Sequence, residues 1–139
     1  MGAKRGLSAD IRIDDAGGTL RDISRSVKTV NFSRDAELLD ATTFQAPGGD
    51  KEFIVGFKDN KFDIEGNADA VVAGYLNGIS GQEATVSFQY GPEGIAAANR
   101  RYTGECVMVS YRESTTATGL NTFTASFQIT GQVTVGVYP

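Results

Sequence analysis

The sequence contains no histidine, no tryptophan and a single cysteine, Cys106, among its 139 residues. The absence of histidine excludes a Ser-His-Asp triad, a Cys-His pair and a histidine-ligated zinc site. One cysteine cannot form an internal disulfide or a CxxC metal site. The formal net charge of −4 provides no overall attraction to nucleic acid. We therefore expect no enzymatic activity, no catalytic residues, no metal and no cofactor.

Long apolar runs are also missing. None approaches the ~20 residues that a membrane helix needs, and no apolar segment of a secretion signal follows Met1. We therefore expect no membrane insertion. The composition, 40% hydrophobic and 22% charged, is typical of a folded protein. A chain of this length predicts a single domain over residues 1–139, with residues 1–7 as a flexible N-terminal arm.

Alternation of polar and apolar residues predicts that most of the chain is β-strand. From Thr122 onward, apolar residues from Phe123 to Val137 share one face, whereas threonine, serine and glutamine share the other, with a possible bulge at Gly131. This segment has no charge, so it would aggregate as an exposed sheet edge. We predict that it is central in its sheet or pairs with another copy. A central strand in a monomeric sandwich is the alternative.

Two local signals concern the middle of the chain. Lys58-Asp59-Asn60 separates two apolar segments and predicts a tight hairpin, because Asp and Asn tolerate a left-handed backbone. Apolar residues spaced i, i+3, i+4, i+7 predict one helix over about residues 68–78, capped by Asn67 and closed at Gly78. We expect this helix to pack flat on a sheet.

Charge is unevenly distributed along the chain. Residues 1–34 hold seven basic and four acidic side chains, whereas residues 35–69 hold three basic and nine acidic ones. The local balances are therefore +3 and −6. These blocks are either a solvated surface or two faces that meet between copies. The carboxylates of Asp63 and Glu65 share a strand face, which we interpret as solvated rather than catalytic.

The middle of the sequence resembles the phage major tail tube proteins, of the type found in long non-contractile tails and gene-transfer particles. The resemblance begins with the segment 38–44, Leu-Leu-Asp-Ala-Thr-Thr-Phe, and continues through 48–59, 62–67, the helix and 86–91 in the same order. It implies a mainly β fold, a β-sandwich or barrel of two packed antiparallel sheets with one flanking helix. Contractile tail tubes and the type VI secretion tube share this fold.

The same resemblance implies a structural protein of the virion tail, made in the host cytoplasm. Its members assemble with themselves into stacked hexameric rings and with tape-measure, terminator and tail-tip proteins. DNA passes through the tube during ejection without specific binding. The loop 45–52 would bridge one ring to the next, and its candidate contact residues are Phe44, Gln45, Ala46, Pro47, Gly48, Gly49, Asp50 and Lys51. The alternative function is a monomeric β-sandwich binding module for capsid decoration or host glycans.

Barrel geometry independently favours an assembly. Each strand contributes ~6 Å of circumference at ~4.8 Å spacing and ~40° tilt. A barrel of about eight strands from one chain would have a diameter of only ~16 Å. A barrel of about 24 strands from six copies would have a diameter of ~48 Å and leave a lumen ~40 Å across. The uncharged polar face of the C-terminal strand is the candidate lumen face: Thr124, Ser126, Gln128 and Thr130. The strand pair 27–44 is the alternative.

Overall fold

The computed structural model describes residues 8–139, so the predicted N-terminal arm, residues 1–7, lies outside the described residues. The elements are β1 (Asp10–Asp14), β2 (Leu20–Asp22), β3 (Val27–Asp40), β4 (Phe53–Asn67), α1 (Ala70–Ile79), β5 (Val86–Gly91), β6 (Arg100–Ser114) and β7 (Thr122–Val137). The strands form one antiparallel sheet in the order β2-β1-β5-β6-β7-β4-β3. The mainly β fold with one helix is confirmed. Its strands belong to one continuous sheet rather than to two separate ones.

This sheet folds over its own apolar face. Phe62 of β4 stacks on Phe127 of the adjacent β7, with ring centroids 4.7 Å apart. It also lies 5.0 Å from the ring of Phe88 on β5, although β6 and β7 separate β4 from β5 in the sheet. Leu76 of the helix is fully buried in the same core. The two halves of the sheet and the helix therefore enclose one hydrophobic cluster.

Strand β7 lies where its sequence predicts. It is central in the sheet, between β6 and β4, and Phe123, Ala125 and Phe127 are buried as the alternation requires. The pairing register with β6 shifts where Gly131 adopts a φ of 84°, as the proposed bulge predicts. Beyond this shift the apolar face is no longer covered: Val135, which the alternation assigns to the buried face, is 54% exposed.

The predicted hairpin at Lys58-Asp59-Asn60 is wrong. Strand β4 runs straight through these residues, and Asp59 and Asn60 pair with Asp35 and Arg34 of β3. The reversal lies instead at residues 41–52. The strand pair expected over residues 27–44 is also wrong, because β3 is one strand from Val27 to Asp40. Each long strand thus supplies the other with a continuous partner, and this pairing outweighs the turn preference of Asp and Asn.

The helix is correct in kind and shifted in its bounds. It begins at Ala70 rather than at residue 68, and Asp69 holds the N-cap position without a side-chain cap hydrogen bond. Asn67 does not cap it, because the residue belongs to β4 and its side-chain oxygen Oδ1 accepts no hydrogen bond within residues 8–139. Gly78 lies inside the helix, which ends at Ile79.

Candidate assembly surfaces

Four adjacent strands, β6-β7-β4-β3, carry a polar face on the side away from the core. We call it the wall face. All four candidate lumen residues lie on it; Thr124 and Thr130 are exposed, and Ser126 and Gln128 are half-buried. The neighbours of these residues are set by the register: Glu65 and Arg112 flank Thr124, Asp63 and Ser110 flank Ser126, Lys61 and Val107 flank Gln128, and Glu105 lies beside Thr130.

The wall face is mixed in charge with a small acidic excess. Two of its carboxylates are held in place by hydrogen bonds. Gln128 Nε2 donates to Asp59 Oδ1 at 2.6 Å and to the Asn60 carbonyl at 3.0 Å. The Glu105 carboxylate accepts from the Ser87 and Thr85 hydroxyls. The fixed groups of the wall face are therefore carboxylates, which lie beside the cations of Lys61 and Arg112.

Both borders of the wall face have unpaired backbone. Strand β5 pairs with β6 only as far as Cys106, so the described chain offers residues 107–114 no strand partner on that side. At the other border, β3 is the last strand of the sheet. A cleft of about 450 Å³ runs beside β3, between Asn31 and Ser33 on one side and Tyr90 and Arg100 on the other. Unpaired strand edges of this length are templates for pairing with another chain.

Strands β3 and β4 continue beyond the sheet as a two-stranded projection. Strand β7 pairs only with residues 61–67 of β4, whereas β3 and β4 remain paired as far as Asp40 and Phe53. We call residues 36–58 the hairpin extension. It includes the loop 45–52 and carries a register shift between Ala36 and Leu38. An isolated two-stranded hairpin gains little stability by itself.

The hairpin extension exposes large apolar side chains on both of its faces. Leu38 and Val55 form a cross-strand pair on one face and are 64% and 65% exposed. Leu39 and Ile54 form the next pair, which lies on the opposite face because side chains alternate along a strand. Phe57 is 87% exposed. Contiguous apolar surface of this kind marks an interaction site.

The loop at the tip is closed by local hydrogen bonds. The Ala41 N–H donates to the Glu52 carbonyl at 2.8 Å, and the Glu52 N–H donates to Thr42 Oγ1 at 2.8 Å. Hydrogen bonds from Thr42 lower the pKa of the Asp40 carboxyl, so this exposed side chain is ionised at neutral pH. A short 3₁₀ turn, Pro47–Gly49, forms the tip, with Gly48 at a φ of 66°.

The structure also places the eight candidate contact residues of the tip. Phe44 is fully exposed, so its ring contacts no part of the core. Residues 45 and 47–51 are exposed and Ala46 is half-buried. Sequence patterns identified this loop but missed the exposed apolar side chains beside it, Leu38, Leu39, Ile54 and Val55. Their apolar runs were visible as strand signals, but a strand signal does not show which face is covered.

Residues 8–139 contain no cluster of three potential metal-ligating side chains. The helix is also too short to cross a membrane. Cys106 is completely buried, and this burial raises the pKa of its thiol to about 12.

We predict that Cys106 in the native protein resists alkylation. At pH 8 a thiol with its pKa near 12 is almost wholly protonated, and only the thiolate reacts. Iodoacetamide labelling followed by mass spectrometry should be at least ~100-fold slower than in the urea-unfolded chain. Equal rates in the two states would show that β6 is not packed as described.

Comparison with solved structures gives the fold a family context, whereas no protein-family model and no curated protein sequence matches. The tail of an empty gene transfer agent particle, refined with C6 symmetry, matches with a TM-score of 0.81 and 17% identity over 96% of this chain and 99% of that one. The SPP1 tail tube matches with a TM-score of 0.71 and 12% identity, covering 96% and 78%. The sheath-tube complex of an extracellular contractile injection system matches at 0.65 and 10%, covering 93% and 88%. The chain therefore has the fold of tail tube proteins, as its sequence resemblance predicted.

Proposed function

We propose that this chain is a structural protein that assembles into six-membered rings, and that the rings stack into a tail tube through which DNA passes. The observation that carries the proposal is the four-stranded part of the sheet that bears the wall face. It is polar on the wall face, apolar on the side of the core and unpaired at both borders. Such a sheet is incomplete in a monomer. It becomes complete when each copy supplies an edge to the next.

The topology allows the borders to join. Strands β6, β7, β4 and β3 alternate in direction, because each neighbouring pair is antiparallel. Rotation about a ring axis preserves strand direction, so β3 of one copy meets β6 of the next copy in the antiparallel sense. The unpaired stretches, residues 27–35 and 107–114, are similar in length. Four strands per copy thus continue around a ring as one antiparallel barrel.

The size of this barrel suits the passage of DNA. Six copies give about 24 strands, which close at a backbone diameter of ~48 Å and leave a lumen of ~40 Å. A DNA duplex ~20 Å across passes through such an opening. The C6 symmetry of the similar gene transfer agent tail supports the number six. We place the candidate lumen residues Thr124, Ser126, Gln128 and Thr130 on the inner surface.

Negative-stain electron microscopy of the purified protein tests the proposal. Tubes or rings with six-fold end views are the expected result, either spontaneously at high concentration or after addition of tail-tip proteins as nucleators. The alternative, a monomeric binding module, leaves the apolar hairpin extension exposed to water. Strict monomers at millimolar concentration with nucleators present would overturn the tube. Tape-measure and terminator proteins remain further partners implied by the family resemblance.

The loop gives a second prediction. Deletion of residues 46–50 removes the 3₁₀ turn but leaves Ala41 and Glu52 available to close a shorter loop. The deleted residues contribute no buried side chain. The unfolding temperature should therefore change by less than ~2 °C, because surface changes cost within ~0.5 kcal/mol. Tube growth should stop, as measured by sedimentation. Normal tubes would show that this loop does not bridge rings.

A further inference from the structure

The register in which β3 of one copy pairs with β6 of the next is constrained by the single chain. Directly opposite partners form one row across the wall face, which runs Arg112–Thr124–Glu65–Thr29. Strands of a barrel are tilted, so the row of one copy does not meet the same row of its neighbour but a different level of it. Four strands at ~4.8 Å spacing and ~40° tilt give a stagger of ~16 Å, which is about five residues at ~3.3 Å each.

Side-chain alternation and the free edge of β6 leave two registers. Because side chains alternate with a period of two, only an even stagger keeps the wall faces of both copies on one side, and the nearest even values are four and six. A stagger in the other direction would bring part of β3 against residues 102–106, which already pair with β5. Arg112 of one copy therefore lies opposite Ser33 of the next if the stagger is four, and opposite Asp35 if it is six.

Charge favours the stagger of six. On the wall face it brings Asp35 opposite Arg112. On the side of the core it brings Arg34 opposite Glu113. All four side chains are exposed, and none of them forms a salt bridge within residues 8–139. The Glu113 carboxylate accepts a hydrogen bond from the Tyr111 hydroxyl through Oε1 only, so its second oxygen is available to an arginine.

The surroundings of Asp35 favour a cation from the neighbouring copy. Asp59 of β4 lies directly opposite Asp35 in the same chain, and like charges in this position repel each other. The other charged residues nearby are Lys58 and Lys61 on β4 and Arg34, Glu37 and Asp40 on β3. Carboxylates are in excess over cations in this group. Arg112, which faces the uncharged Thr124 in its own copy, reduces that excess when it arrives at the border of β3.

The same register covers exposed apolar side chains. Leu38 of β3 is 64% exposed and comes opposite Val109 of β6, which is 66% exposed. The next pair along the strands is Leu39 with Met108. The irregularities in the two strands, beside Leu38 in β3 and at Val109 in β6, then face each other, so the extra residue of one strand matches that of the other. A stagger of four would place the Glu37 carboxylate against Met108 instead.

We propose that neighbouring copies join with residues 33–40 of β3 antiparallel to residues 107–114 of β6, and that the ion pairs Asp35–Arg112 and Arg34–Glu113 select this register. The inference rests on the proposed ring and adds the residues that determine how its copies meet. Register and tilt together set the width of a barrel. A stagger of six corresponds to a tilt of ~46° and a backbone diameter of ~53 Å, against ~35° and ~45 Å for a stagger of four.

Disulfide trapping in assembled tubes measures the register directly. Directly opposite residues of antiparallel strands have Cα atoms ~4.5–5.5 Å apart, which a disulfide spans, whereas diagonal neighbours at ~7–8 Å exceed its range. Oxidised tubes of Asp35→Cys with Arg112→Cys should therefore give a ladder of covalent oligomers on a non-reducing gel. Ser33→Cys with Arg112→Cys, the matched variant for a stagger of four, should give at least ~10-fold less product. Cys106 is completely buried and does not compete.

A charge exchange tests the ion pair on the wall face. Asp35→Arg places two arginines opposite each other and should raise the critical concentration for tube growth at least ~10-fold, because like charges across an interface are unfavourable. Asp35→Arg with Arg112→Asp restores opposite charges and should return this concentration to within ~3-fold of the wild type. Asp63→Arg is the control. It lies on the same wall face but opposite Ser126 of its own copy, and it should assemble like the wild type.

The outcomes separate this inference from the tube itself. Circular dichroism should show that the charge variants are folded, since all three positions lie outside the core. Cross-linking between positions 35 and 112, together with recovery in the charge exchange, supports the register. Cross-linking of the Ser33 variant instead, cross-linking of neither variant, or wild-type growth of Asp35→Arg overturns the inference and leaves the ring in place. Absence of wild-type tubes under every nucleation condition overturns the ring and the inference with it.

Discussion

Replacing Gly66 with alanine should destabilise the fold by at least about 4 kcal/mol, the upper range for single substitutions. A Cβ atom at this position would lie 1.9 Å from the Ser26 carbonyl oxygen and 2.8 Å from the Val27 Cα. Both are backbone atoms, which cannot move aside as a flexible side chain does. The start of β3 would have to shift, and the hydrogen bond from the Asn67 N–H to the Ser26 carbonyl would be lost.

Urea unfolding of purified Gly66→Ala, followed by circular dichroism, measures this effect. A lowered unfolding temperature, by more than ~10 °C, should accompany it. Gly74→Ala is the matched control, because a Cβ atom there meets nothing within 4 Å. In the interior of the helix it should stabilise the protein by up to ~1 kcal/mol. Gly66→Ala within ~1 kcal/mol of the wild type would mean that β3 and β4 do not approach so closely.

The elements that the sequence predicted well are those whose pattern is repeated along the chain. In β7, alternation over successive residues identified the buried face, including Phe123 and Phe127. The helix was identified from its apolar stripe, although its ends were shifted by one or two residues. Such patterns report burial, which dominates the energetics of both elements. Caps contribute less and are harder to locate from the sequence.

The hairpin extension could not be predicted because it depends on pairing over a distance. Lys58, Asp59 and Asn60 favour a turn when read alone, and only the opposing residues of β3 make the extended conformation better. Exposure is also a property of the folded chain. The run Phe53-Ile54-Val55 predicts a strand equally well whether its faces meet a core, water or another subunit.

In the proposed tube, conversion of the wall face to a basic surface should turn a DNA conduit into a DNA binder. Thr124→Lys with Thr130→Lys is the informative pair, because both residues are exposed. Gln128 is less suitable, since its side chain holds Asp59 and the Asn60 carbonyl. The two positions lie ~20 Å apart along β7 at ~3.3 Å per residue, so the added charges span the height of the wall. The fold should be retained within ~0.5 kcal/mol, as for other surface changes.

In the proposed six-membered ring, these two lysines per copy become twelve positive charges. Each phosphate contact adds about −0.9 to the slope of log affinity against log salt, so twelve charges produce strong, salt-sensitive retention of DNA. We expect normal tubes, impaired DNA ejection from particles and recovery of ejection as salt is raised. Asn77→Lys with Ser80→Lys, on the exposed side of the helix end, adds the same charge outside the lumen and should leave ejection unchanged. Normal ejection by the Thr124 and Thr130 variant would place the wall face on the tube exterior, and the alternative candidate 27–44 would be excluded with it, because β3 belongs to the same face.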